Sequence, residues 1–127
     1  MGEVRDLPDD FGGLLQTFIS ASKKSQEEAA FEADMSARNL SRLMKNKQQP
    51  KLETVVALCI SLHLFALFSE YLISSAGYSF RNTAEGIAYK LLINQLYMED
   101  LQFCNDLLRI IGLGPLTEDS LSESEGE

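Results

Sequence analysis

The sequence predicts an all-α fold of seven helices, five forming a first bundle and two a C-terminal extension. Three observations carry this expectation. Apolar residues recur at helical spacing in successive segments, capping residues precede several of those segments, and no stretch sustains the strict alternation of a strand. No fixed-period repeat runs through the chain.

Phe11, Leu14, Leu15, Phe18 and Ile19 fall at i, i+3, i+4, i+7 and i+8, which lines them along one stripe of a first helix. Asp9 and Asp10, following Pro8, suit its start, where a carboxylate caps open amides and meets the positive end of the helix dipole. Gly12-Gly13 is expected to weaken that first turn. Ser25-Gln26-Glu27-Glu28 reads as a capping box and opens a short second helix. Asp34 tolerates left-handed backbone and Ser36 is a fresh cap, so a tight turn leads into a third helix over Arg38–Lys45. Leu40, Leu43 and Met44 face inward there, leaving Ala37, Arg38, Asn39, Ser41, Arg42 and Lys45 for the other faces.

Asn46 to Pro50 reads as a loop, because Pro50 disfavours helix at Gln49. Leu52, Val55, Val56, Cys59 and Leu62 then resume the helical period, and His63 stands at that helix's end, where a cation is favoured. Phe68, Tyr71 and Leu72 mark a fifth helix that Gly77 stops. Asn82-Thr83-Ala84-Glu85 reads as another capping box, opening a helix with Ile87, Leu91 and Leu96 inward. Leu101, Cys104, Leu107, Leu108 and Ile111 form a seventh stripe ending at Gly112, suited either to pairing two subunits or to closing the chain's own core. The organisation expected is a bundle over 9–76, a helical extension over 77–116 and an acidic, disordered tail over 117–127.

A chain of 127 residues and 45% hydrophobic composition suits one compact domain with an extension. Its longest apolar run, Val55 to Phe68, is broken by Ser61 and His63 and falls short of the roughly 20 residues a bilayer span requires, so a protein with no membrane partner is expected. The acidic opening Met1–Asp10 lacks the apolar core of a secretory signal, which predicts a cytoplasmic location. Cys59 and Cys104 lie within apolar helical patterns and read as buried thiols, not a disulfide or metal pair. The chain has no phosphate-cradling glycine loop, no His-Glu-x-x-His, no Cys-x-x-Cys and a single histidine, so neither enzyme activity nor a cofactor is expected.

The net charge of −8 argues, for the chain as a whole, against a polyanionic partner. Its distribution argues otherwise. Met35 to Lys51 holds five bases, Arg38, Arg42, Lys45, Lys47 and Lys51, and no acid, whereas five acids, Glu118, Asp119, Glu123, Glu125 and Glu127, crowd the last ten residues. Screening acts over about 8 Å at physiological ionic strength, so a distant acidic run need not cancel a cationic face at contact range.

The run Ser25–Asn46, followed by Pro50-Lys-Leu-Glu-Thr-Val-Val-Ala-Leu58, resembles the helix-turn-helix of the phage lambda repressor and Cro family. The order of parts matches over about residues 9–75: a serine cap, Gln26 and acids opening the second helix, Ala30 where two helices touch, a turn, a cap, a recognition helix, and a Pro-containing loop before a Leu-Glu-Thr helix. Three departures stand out: Asp34 and Asn46 where the family often has glycine, and Met44 where glutamate is common. Ser69–Tyr78 is similar to an extension of some small bacterial regulators.

The resemblance implies a cytoplasmic bacterial or phage DNA-binding transcriptional regulator, a dimeric repressor reading an inverted repeat in double-stranded DNA with half-sites about one helical turn apart. It places Ala37, Arg38, Asn39 and Arg42 at base edges, and Gln26, Lys45, Asn46, Lys47 and Lys51 at phosphates. The alternative expectation is a protein-interaction module, antitoxin-like or an inhibitor subunit, whose acidic C-terminal half binds a basic protein partner.

Overall fold

The computed structural model describes residues 7–117, which form seven α-helices and no strand. They are α1 (Phe11–Ala21), α2 (Gln26–Glu32), α3 (Ala37–Met44), α4 (Leu52–Ser61), α5 (Ala66–Ser75), α6 (Ala84–Gln95) and α7 (Leu101–Ile110). No helix among these residues is long and apolar enough to cross a membrane. The acidic run from Glu118 onward lies outside the described residues.

Helix starts follow from caps. Asp10 Oδ2 accepts the Gly13 N–H at 2.7 Å, Ser36 Oγ accepts the Asn39 N–H at 3.0 Å, and both halves of the Ser25–Glu28 capping box are made, at 3.0 and 2.9 Å. Helix ends follow from left-handed residues. Asp34 (φ 60°), Asn46 (φ 58°), Gly77 (φ 91°) and Gly112 (φ 89°) each reverse the chain where a stop was expected. The residue after each donates back across the last turn, as Met35 does to the Ala30 carbonyl at 2.9 Å and Lys47 to the Arg42 carbonyl at 2.9 Å. His63 does the same job at φ 53°, and its Nδ1–H donates to the Tyr97 carbonyl at 2.8 Å, tying the end of α4 to the α6–α7 loop.

The axis of the molecule is α4, in which every residue from Val55 to Ser61 is buried. A helix apolar on all sides belongs in a core, and α5, α6 and α7 all pack against it. The extension thus joins the same core as the first five helices: Tyr89, Leu92, Ile93, Cys104 and Leu108 are as inaccessible as Leu14, Leu40 and Leu58. Leu101, Cys104 and Leu108 therefore close the monomer, one of the two roles the seventh stripe allowed. Both cysteines are free and buried.

Three expectations about faces and ends are corrected. The sixth helix is capped by Thr83, whose Oγ1 accepts the Gly86 N–H at 3.0 Å, one residue beyond the expected Asn82. Ile87 (58% exposed) and Leu91 (46%) face outward, while Gly86, Ala88, Tyr89, Leu92 and Ile93 face in. Two helical sets compete on this segment, and the one carrying Tyr89, Leu92 and Ile93 removes more apolar area from water. On α7 the inner face takes buried Asn105 in place of Ile111, which is 54% exposed. Asn105 earns that position by hydrogen bonding, accepting the Leu116 N–H at 2.7 Å and donating to Thr117 Oγ1 at 3.3 Å, which folds the following segment against the helix.

Gly12 was expected only to weaken α1, and in the structure it is a docking point. A Cβ there would meet the Met44 carbonyl oxygen at 2.4 Å and the Leu43 carbonyl oxygen at 2.8 Å. Only glycine lets α1 approach the carboxyl end of α3 so closely.

Candidate nucleic-acid interface

The helix α3 is held from one side only. It packs on α1 and α2 through buried Leu40 and Leu43, with Met44 and Ala37 half-buried, and its outer face is left to Arg38, Asn39 and Arg42, all exposed. Arg38 and Arg42 stand four residues apart, one turn along the same stripe. Lys45 ends the helix, Lys47 follows the Asn46 turn, and Lys51 precedes α4, all three exposed. The structure therefore gathers Arg38, Asn39, Arg42, Lys45, Lys47 and Lys51 along one helix and the loop after it. Among the described residues the ion pairs lie elsewhere, Lys24 with Glu32 and Arg109 with Asp106.

The other expected site residues are tied into the fold. Gln26 is half-buried, and its Nε2 donates to the Ala37 carbonyl at 3.4 Å, bracing the start of α2 against the start of α3. Asn46 was expected at a phosphate. Both ends of its amide are instead occupied within the chain: Oδ1 accepts the Gly12 N–H at 2.8 Å and Nδ2 donates to Asp10 Oδ2 at 2.7 Å. This link clamps α1 to the carboxyl end of α3, and it holds the Asp10 carboxyl below its usual range, Asn46 first and the Gly13 N–H second.

Several supporting residues carry no periodic signal in the sequence. Gln48 Oε1 accepts from Arg42 Nε at 3.2 Å and orients that guanidinium along the outer face. The loop that presents Lys47 and Lys51 is pinned from beneath, with Gln49 Nε2 donating to the Ala76 carbonyl at 2.9 Å and the Tyr78 hydroxyl to the Pro50 carbonyl at 2.8 Å. Lys24 Nζ, paired with Glu32, also donates to the Ser61 carbonyl at 3.1 Å and fixes α2 to the end of α4. These partners lie 6 to 37 residues apart in sequence, and only the tertiary fold brings them together.

What the face can do chemically is bind anions through exposed guanidinium and ammonium groups while offering one amide, Asn39, to a planar donor–acceptor edge. The described residues include no cluster of three or more His, Cys, Asp or Glu able to hold a metal ion. Comparison with known proteins returns no matching family model, no matching curated protein and no matching solved structure.

Proposed function

We propose that this chain is a sequence-specific DNA-binding regulator, a dimeric repressor in which α2, the Asp34 turn and α3 act as a helix-turn-helix of the lambda repressor and Cro type. The observation that carries the reading is the outer face of α3: exposed Arg38, Asn39 and Arg42, continued by Lys45, Lys47 and Lys51, with no acid between Met35 and Lys51.

A major groove about 12 Å wide admits a helix, and guanine and adenine edges match arginine and asparagine respectively. Arg38, Asn39 and Arg42 take the base-reading roles, while Ala37, expected beside them, is half-buried against the core at the edge of that face. Lys45, Lys47 and Lys51 take phosphates and set register. Asn46 and Gln26 act from behind, by holding α3 at its two ends.

Pairing of two copies has a surface to use. Phe103, Ile110 and Ile111 on the outer side of α7 are 45%, 80% and 54% exposed, a stripe more apolar than solvent favours. The same stripe supports the second reading, a protein-interaction module with a different chain as partner.

Random-site selection at stated salt, followed by titration of Arg38→Ala and Arg42→Ala chains, tests the first reading. Loss of a base contact is expected to cost about 1–3 kcal/mol and relax preference at one position, whereas loss of a phosphate contact weakens all sites alike. Duplex binding unchanged by both substitutions removes α3 from the interface.

A further inference from the structure

We infer that the acidic segment 118–127 of this chain competes with nucleic acid for the outer face of α3, a built-in polyanion that lowers DNA affinity until DNA displaces it. The inference rests on the nucleic-acid reading of that face and adds its regulation. Charge complementarity is the first support. Glu118, Asp119, Glu123, Glu125 and Glu127 stand in a segment without a base, opposite five bases in a segment without an acid.

The second support is where the segment begins. Leu116 is buried, and Asn105 on α7 holds both Leu116 and Thr117. Asn105 in turn lines a cleft of about 540 Å³ that also includes Glu32, Asp34 and Met35, the last residues before the Ser36 cap of α3. The described chain thus ends at Thr117, held by a residue that lines the same cleft as the turn before α3. Ten residues of extended chain reach at most about 33–36 Å, whereas the eight residues of α3 span about 12 Å at helical rise. The segment is long enough to cross the cleft and run the length of the helix to Lys45 and Lys47.

The cleft itself is a poor resting place for it. Lys24 is already paired with Glu32 and Arg109 with Asp106, while Asp100 adds like charge along the way. Beyond the turn, the cations of α3 have no paired acid among the described residues. Exposed ion pairs are individually weak and screened by salt, so the contact yields readily to a duplex, whose phosphates present a charge every 1.7 Å or so.

The test uses the full chain with Ser124→Cys carrying a nitroxide; Cys59 and Cys104 are fully buried, so the label goes to the new thiol. Paramagnetic broadening is expected at the amides of residues 38–47 in low salt and is expected to vanish near 1 M salt, where the screening length is about 3 Å. A second full chain, with the five acids replaced by Gln or Asn, is expected to bind a short duplex about tenfold more tightly than the parent, the ratio for a face covered nine-tenths of the time. Absence of broadening at α3, or equal affinity of the two chains for a duplex that both bind, overturns the inference and leaves the nucleic-acid reading standing. Failure of both chains to bind any duplex overturns the nucleic-acid reading and the competition with it, even if the broadening shows that the segment touches α3.

Discussion

The outer faces of α3 and α7 make opposite use of the same helical geometry. Both helices bury one leucine-bearing side, Leu40 and Leu43 in α3, Leu101 and Leu108 in α7. On the solvent side α3 carries Arg38, Asn39 and Arg42, whereas α7 carries Phe103, Ile110 and Ile111. Charge density on a short exposed rod suits a hydrated polyanion, and an apolar stripe whose neighbouring charges, Asp106 and Arg109, are paired suits another protein surface. The α3 face is braced by Asn46, Gln26 and Gln48 from outside the helix, whereas the polar surface residues of α7, Gln102, Asp106 and Arg109, bond only to one another among the described residues. A surface that reads DNA, as proposed for α3, has to hold its side chains in register; one that pairs proteins, as proposed for α7, can adapt on contact.

The sharpest way to break this comparison is to ask whether the two regions fold as one. Leu108→Ala opens a cavity under α7 and is expected to destabilise the whole chain by about 2–5 kcal/mol, in a single denaturant transition that takes α1–α3 with it. Two separate transitions would show that the shared core does not couple the regions. Gly12→Ala comes next. Its Cβ would meet two carbonyl oxygens of α3, so a loss of about 1–3 kcal/mol is expected, with amide shifts concentrated at residues 43–47.

Arg38→Ala and Arg42→Ala sharpen the contrast from the other side, since each is expected to leave stability within about 0.5 kcal/mol while weakening DNA binding. Conversely, Phe103→Ser with Ile110→Ser is expected to reduce self-association in sedimentation, leaving monomer stability and single-site DNA contacts unchanged. The smallest effect concerns acid. The Asp10 carboxyl is held below its ordinary 3.8 by the Asn46 amide and the Gly13 N–H, so its contribution is present above that value and lost as pH falls through the lower folded value. Asp10→Asn is expected to flatten the acid limb of a stability-against-pH curve; an unchanged limb would show that the α1–α3 clamp is indifferent to this carboxylate.

Much of the fold was legible because its signals are local. Ser25, Ser36 and Asp10 announce helix starts through hydrogen bonds spanning three residues, and Asp34, Asn46, Gly77 and Gly112 announce ends through backbone conformations that few other residues adopt. The exposed part of the candidate site was legible for the same reason, since periodicity that buries Leu40 and Leu43 turns Arg38, Asn39 and Arg42 outward. Asn46 shows where that legibility ends. The sequence marked it correctly as a turn residue, yet its side chain is committed to Asp10 and Gly12, 36 and 34 residues away.

By itself, then, the sequence determined the helical class, the capped starts of α1, α2 and α3, the stops at Asp34, Asn46, Gly77 and Gly112, and which side of α3 carries the cations, because each depends on interactions within one or two turns. Tertiary structure alone decided that the extension shares the first bundle's core, that α6 turns Ile87 and Leu91 to solvent, and that Gly12 and Asn46 lock α1 against α3. Those outcomes rest on competition between alternative apolar faces and on partners far apart along the chain. The total area buried and the polar groups satisfied settle that competition, and neither quantity exists until the helices have packed.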